Sequence, residues 1–483
     1  MPGRRSPAGR MNFVQIEFVA FFGVVYALYW ALRDRAYQNA LLVVASAVFY
    51  GWVHPWFVLL LYAASSLDFA SARLMAEMPE RRRLFLACSL AGNLGMLSFF
   101  KYFDFFVANV AAALTSLGLQ VHPHTLGVLL PVGISFYTFQ TIGYVVDVYR
   151  GELAPRRRFL DYILYVSFFP QLVAGPIARA GRLLPRIESS SRFSGDDLRT
   201  GLSLALWGAF KKVVIADSIA PYVDKVFVLE RPVGPLLWAA TAAFMIQIFA
   251  DFSGYTDLAR GTARMLGFSL GENFRAPFLA TTTSEFWQRW HISLSSWVRD
   301  YLLGPLVGDA PEHATRARFA MATVISFLAM GFWHGASWNF LLFGLYHGCA
   351  VLTYAAVVRR LPAWSRRIPL GRPLAAGVHL GVVGLPGSLL FREQSVTRLV
   401  GYLSLNPFSA SQDEWIATWT IAMVTAIGCA PLLCGYAFDR WILPRVQGSP
   451  WHLPLRTTGW AACAVGLAIF YRVTAQDFVY FRF

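Results

Sequence analysis

The sequence predicts an all-α, polytopic integral membrane protein, and three observations carry that prediction. Of its 483 residues, 56% are hydrophobic and only 14% charged, with a mean hydropathy of +0.48, far from the balance of water-soluble domains. Apolar runs approaching the length that crosses a bilayer, about 17 to 25 residues, recur from one end of the chain to the other. Between them sit clusters of Arg and Lys, as in loops on the cytoplasmic side of a membrane.

In order, the runs are Phe18 to Leu32, Leu41 to Val53, Trp56 to Ala70, Leu84 to Phe100, Leu126 to Val148, Leu160 to Ile177, Leu202 to Ile215, Leu236 to Phe249, Phe319 to Phe332, Trp338 to Val358, Leu374 to Phe391, Ile416 to Leu433 and Trp460 to Tyr471. Several fall short of a full span or are broken by Gly and Pro, which predicts roughly ten to twelve crossings with the remainder re-entrant or interfacial. Placing Arg81, Arg82 and Arg83 on the cytoplasmic side puts Arg33 and Arg35 there too and the amino terminus outside. Arg4, Arg5 and Arg10 then lie on the wrong side, so residues 1–10 read as an extension before one membrane domain, residues 11–483. For Arg156, Arg157 and Arg158 to be cytoplasmic, Phe105 to Leu119 must stay on the outer face as an interfacial segment.

The formal charge of +15 is spread over those clusters, which also include Lys211-Lys212, Arg359-Arg360 and Arg366-Arg367. Spacing between spans fits attraction to anionic lipid headgroups and not a nucleic-acid footprint. Five cysteines, at 88, 349, 429, 434 and 463, lie in apolar runs without metal-ligand spacing and read as small buried hydrophobes. No internal repeat is visible, unlike many secondary transporters. No Gly-x-Ser-x-Gly elbow, phosphate loop or dinucleotide fingerprint occurs, so a serine hydrolase, nucleotidase or dehydrogenase has no support.

Polar groups at membrane depth carry the chemistry, because burying them there is costly. His334, in Gly331-Phe332-Trp333-His334-Gly335, is an imidazole within the apolar stretch Phe319 to Tyr354. It serves either a cavity or a carbonyl of a neighbouring helix. His347, in Gly344-Leu345-Tyr346-His347-Gly348, lies thirteen positions on, which at about 100° per residue turns it to a different side of one continuous helix. Thr282-x-x-Glu285 starts a helix over Thr281 to Leu306, with Trp287, Trp290, His291, Leu294, Trp297 and Tyr301 on one aromatic face. That face fits an interfacial helix with a satisfied histidine as well as a site. The histidine spacings are not those of a zinc motif, and no metal is expected. Asp251 and Asp257 end an apolar run and read as ion-pair partners of Arg260, Arg264 or Arg289. Arg179 after Gly175-Pro176, and Asn273 with Pro277, mark irregular backbone of the kind that lines a cavity.

Longer strings add a resemblance. Leu130 to Gln140 (LPVGISFYTFQ), Phe169 to Ile177 (FPQLVAGPI), Phe210 to Asp217 (FKKVVIAD), Asp251 to Asp257 (DFSGYTD), Asn273 to Phe278 (NFRAPF), Glu285 to His291 (EFWQRWH), Gly331 to Gly335 and the ending Phe478 to Phe483 (FVYFRF) occur in order. Together they resemble the membrane-bound O-acyltransferase family, most closely its bacterial branch typified by the membrane subunit of alginate O-acetyltransferase. The resemblance implies a ring of tilted helices around a central tunnel, a catalytic His334 and an essential companion His291. Trp333, Trp290, His347, Asn273 and Arg289 are then expected along the substrate tunnel. It further implies an enzyme of a bacterial inner membrane that passes acetyl from a cytoplasmic thioester, acetyl-CoA, toward an exported polysaccharide such as alginate, with no permanently bound cofactor. A periplasmic or membrane-tethered acetyltransferase completes the transfer. Two other readings stay open, a D-alanyl transfer subunit for teichoic acid using a carrier protein and a non-catalytic transporter. The basic loops, Arg156 to Arg158 or Lys211-Lys212, are expected to attract the phosphates of coenzyme A.

Overall fold

The computed structural model describes residues 11–52, 54–122, 125–173, 175–190, 192–308, 314–360, 371–472 and 478–479. The extension before Met11, Arg366 with Arg367, and the last four residues of the closing aromatic string lie outside the described residues. All regular structure among the described residues is helical, and the chain divides into two compact units, residues 1–202 with 259–271 and residues 203–258 with 272–483.

The first unit holds α1 (Ile16–Ala31), α2 (Arg35–Gly51), α3 (Trp56–Glu77), α4 (Arg82–Leu97), α5 (Phe103–Ser116), α6 (Ile134–Arg150), α7 (Phe159–Ser167), α8 (Phe169–Leu172), α9 (Ala180–Glu188) and the start of α10 (Gly195–Phe210). Asp34 starts α2 by accepting from the Ala36 amide at 2.7 Å, and Arg179 occupies the N-cap position of α9. The run Leu160 to Ile177 does not form one helix. Pro170, Gly175 and Pro176 divide it into α7, α8 and a non-helical approach to α9, as missing donors and chain freedom require. Phe105 to Leu119, expected to stand apart, is largely the end of a 38-residue helical path, Pro79–Ser116, joined through a π turn at Ser98–Tyr102.

Packing in this unit combines rings with polar pins. Phe18 meets Phe13 at 4.7 Å and Phe49 at 5.8 Å between centroids, and Phe49 meets Phe169 at 5.8 Å. Asp68 accepts from Ser89 at 2.5 Å and from Asn93 at 2.7 Å, while Thr141 donates to Asn93 at 3.1 Å. These bonds tie α3, α4 and α6 together where lipid supplies no hydrophobic drive between helices.

The second unit holds α11 (Asp217–Val228), most of α12 (Gly234–Met265), α13 (Thr283–Arg289), α14 (Ile292–Val298), α15 (Gly304–Val307), α16 (Arg316–His334), α17 (Trp338–Arg360), α18 (Arg372–His379), α19 (Leu385–Arg392), α20 (Val396–Tyr402), α21 (Gln412–Ala437), α22 (Leu443–Val446) and α23 (His452–Phe470). Ser411 and Glu414 form a reciprocal capping box that starts α21, as short polar side chains do for orphan amides. Among the described residues seven helical stretches are long and apolar enough to cross a bilayer. Along α21, Ile416, Trp419, Met423 and Ile427 are exposed, a face suited to lipid and not to water. The protein is a multi-pass membrane protein.

Two sequence expectations change here. The cysteines are free, but Cys88, Cys349 and Cys434 are exposed and Cys429 and Cys463 half-exposed. Small apolar side chains suit a lipid-facing helix as well as a core. Lys211 and Lys212 are not in a loop at all. They open a π turn, Lys211–Ala216, and both are buried. Lys212 Nζ bridges Asp217 at 2.7 Å and Asp251 at 2.8 Å, and Lys211 Nζ meets Asp257 at 2.7 Å and Ser253 at 3.0 Å. Asp251 and Asp257 are therefore paired with lysines from within α12. Arg264 pairs with Asp197 and Arg289 with Glu285.

Candidate active site

The expected helix over Thr281 to Leu306 starts where the sequence places it. Thr282 Oγ1 accepts from the Glu285 amide at 3.0 Å, although the Glu285 carboxylate returns to Thr281 and not to Thr282. The helix then breaks. Trp290 is extended and His291 takes φ 42° and ψ 55°, a left-handed conformation that is uncommon for any residue with a Cβ. Asn273 holds the break open. Its carbonyl accepts from the Ile292 amide at 2.9 Å, and its Oδ1 accepts from the Ser293 amide at 3.2 Å and hydroxyl at 2.6 Å. It thus supplies acceptors for the first amides of α14. The Arg275 amide bonds the Arg289 carbonyl at 2.9 Å, fastening the same loop to the end of α13.

This kink takes His291 off any aromatic surface face and buries it completely. Its ring meets Phe252 edge-on at 4.7 Å and Trp333 at 6.1 Å. Phe252 in turn rests on Phe478 at 5.4 Å.

His334 is the last residue of α16. The chain reverses at Gly335, and α17 runs back against α16, so the stretch is a hairpin and not one continuous helix. The backbones pack so closely that a Cβ at Gly331 would stand 2.1 Å from the Phe340 carbonyl oxygen. The reversal cancels the angular argument made from thirteen positions of helix. His334 and His347 face one cavity, whose wall contains Phe244, Met245, Ile248, Phe286, Trp287, Trp290, Phe343, Gly384, Gly387, Ser388 and Phe391 with Phe278. The cavity and its open mouth hold about 510 Å³ not filled by atoms. The His334 ring lies 4.9 Å from Trp333, 5.1 Å from Phe391 and 5.9 Å from Phe343.

Of the residues expected at a tunnel, Trp290, His334 and His347 line this cavity. Trp333 stands behind it, in contact with both His334 and His291. Asn273 and Arg289 are away from the wall, the first engaged at α14 and the second in its ion pair with Glu285 at 2.6 Å. Among the described residues no three His, Cys, Asp or Glu side chains are grouped to hold a metal. An imidazole in an aromatic pocket whose described wall carries no carboxylate can accept a proton from an alcohol, and an indole N–H beside it can donate to a carbonyl.

Comparison with known proteins decides the family. The membrane-bound O-acyltransferase family model matches residues 154–376, which include both His334 and His291. A probable alginate O-acetylase of Azotobacter vinelandii is 34% identical over 434 residues, 88% of this chain and 83% of that protein. The chain belongs to the membrane-bound O-acyltransferase family. A peptidoglycan O-acetyltransferase of Helicobacter pylori is 33% identical over 381 residues, covering 73% of the chain and 70% of the relative. A teichoic acid D-alanyltransferase of Bacillus subtilis is 32% identical over 248 residues, 48% of the chain and 60% of the relative.

The cavity of this acyltransferase has wall residues that the sequence did not single out. Gly384, Gly387, Ser388 and Phe391 come from an apolar run that reads as an ordinary span. Its one signal is two glycines three apart followed by a serine. Phe286, beside the expected Trp287, stacks nearly parallel to His347 at 6.4 Å.

His291 lies outside the candidate spans, and burial pushes its imidazole down to about 3. It is neutral at any working pH, so an acid limb in the acyltransferase's rate profile does not report it. The folded form resists a proton that the unfolded chain takes up below about 6.5. The stability this residue contributes is therefore complete above that value and lost as pH falls from there toward about 3. Melting temperature measured between about pH 7 and about pH 4.5 is expected to fall less steeply in His291→Gln than in the parent. Equal slopes would contradict a buried neutral imidazole.

Proposed function

We propose that this acyltransferase, from a bacterial inner membrane, takes acetyl from cytoplasmic acetyl-CoA and passes it across the bilayer for O-acetylation of an exported polysaccharide such as alginate. A periplasmic or membrane-tethered acetyltransferase finishes the transfer. The observation that carries this reading is an imidazole, His334, ending a helix of a membrane protein in the wall of an aromatic cavity. The likeness to polysaccharide and peptidoglycan O-acetyltransferases, over most of the chain, supports the substrate class.

His334 takes the proton of the acceptor hydroxyl as its oxygen attacks the thioester carbonyl. The carbon–sulfur bond then breaks, and the imidazolium returns the proton to the departing thiolate, so the step balances without an outside acid. The Trp290 indole N–H, on the same wall, donates to the carbonyl oxygen. His291 acts at one remove, as a positioning residue that fixes Trp333 and through it the His334 ring. Exposed Arg157 and Arg158 offer charge to the phosphates of coenzyme A, a role that the buried, paired Lys211 and Lys212 do not fill.

Among the described residues the cavity wall carries no Asp or Glu, so it offers no counter-charge to the ammonium of a D-alanyl group. Acetyl is favoured on that ground. Purified enzyme supplied with radiolabelled acetyl-CoA or with D-alanyl carrier protein is expected to consume only the first. Consumption of the second alone would overturn the acetyl assignment.

A further inference from the structure

His334 accounts for the proton in the reaction proposed above, but the carbonyl oxygen of the thioester also gains negative charge. The cavity holds a second imidazole. His347, one helix of the hairpin away, meets Phe343 at 4.6 Å and Trp287 at 5.1 Å edge-on. Phe343 is the ring that His334 also touches, so the two imidazoles flank one phenyl group on a shared wall. His347 is buried, and its Nδ1 has no hydrogen-bond partner among the described residues. Its Nε2 points across to α19, where a Cβ on Gly387 would stand only 2.5 Å away.

A sealed Nδ1 with nothing to accept from it is costly as a donor, so the ring's one proton belongs on Nε2, the nitrogen left for the cavity whose wall His347 forms. Among the described residues no carboxylate, Lys or Arg lines the wall, so the ring is a neutral donor and not half of an ion pair. We infer that His347 is a further catalytic residue, an electrophile whose Nε2–H holds the oxyanion formed as the acceptor adds to the thioester. This rests on the acyl-transfer reading and extends it. As the acceptor oxygen bonds to the carbonyl carbon, the C=O π pair moves onto oxygen and is met by that N–H. When the pair returns, the carbon–sulfur bond breaks and the thiolate takes its proton from His334. His347 ends the cycle with the proton it began with. Preorganised donors of this kind act most strongly where water is excluded. Gly387 keeps its place free of a side chain so that the ring can hold this position.

Three substitutions at one site separate the donor from the ring. Gln carries an amide N–H near the Nε2 position and Asn carries one near Nδ1. His347→Ala and His347→Asn are expected to lose about 100-fold in kcat with little change in KM, as for loss of one oxyanion donor. His347→Gln is expected to recover about tenfold of that loss. Gly387→Ala should displace the ring and lower kcat similarly in the parent, yet cost nothing further in His347→Ala, which a double-mutant cycle reads directly. Activity of His347→Ala within threefold of the parent overturns the inference, and so does equal loss in Ala, Asn and Gln. Neither result touches the acyl-transfer reading, which stands or falls with His334.

Discussion

Purified His334→Ala is expected to fold and remain monodisperse while losing acyl transfer by about 10²- to 10⁴-fold, the usual worth of a positioned general base. The fold survives because the ring ends a helix beside existing empty space. Removing it enlarges a cavity without opening the backbone contact at Gly331. His334→Gln should fare no better than Ala, since an amide accepts no proton at neutral pH. That sets His334 apart from His347, where Gln is expected to rescue. Kinetics of donor thiol release, with melting temperature as the folding control, check the prediction. A variant that keeps most of its activity removes His334 from the mechanism.

Lys212→Met is expected to be the most damaging substitution for the fold. Lys212 is buried between Asp217 and Asp251, at 2.7 and 2.8 Å. Asp251 uses its other oxygen to accept the Val479 amide at 2.6 Å. Removing the ammonium takes from two buried carboxylates the counter-charge they share, and losing one side of a buried pair costs about 3–5 kcal/mol. The effect extends to the active site, because Phe252, next to Asp251, supplies the ring on which His291 rests. A large fall in melting temperature is expected in detergent, along with loss of the segment at Phe478 and Val479 from its seat. Adding Asp217→Asn and Asp251→Asn should restore much of the stability, since neutral amides need no counter-charge. A Lys212→Met protein as stable as the parent would show that the network carries no net stabilisation.

The parts of this molecule that follow from local chemistry were legible in the sequence. Apolar runs mark the helices of a membrane protein, Thr282 and Glu285 mark the start of α13, and a histidine in an apolar stretch marks the cavity. What was not legible depends on partners far along the chain. The aromatic periodicity from Trp287 to Tyr301 continues straight through His291, and the break there depends on Asn273, which contributes acceptors from outside the helix. The hairpin that brings His347 beside His334 depends on close backbone contact at Gly331 and Gly344, which single-helix geometry does not foresee. Lys211-Lys212 resembles a basic loop because adjacent lysines usually meet water. Their carboxylate partners at Asp251 and Asp257 lie about forty positions away, and sequence offered Arg260, Arg264 and Arg289 as nearer choices.

Acyl passage through the membrane under the control of one imidazole is the central claim. Enzyme reconstituted in one orientation in proteoliposomes, with acetyl-labelled acetyl-CoA on the cytoplasmic face alone and a polysaccharide acceptor and partner acetyltransferase on the other, measures that passage. Label is expected to appear as alkali-labile ester on the far side with the parent protein and to be absent with His334→Ala. Label that stays on the donor side with the parent protein, or that crosses equally well without the imidazole, would contradict it.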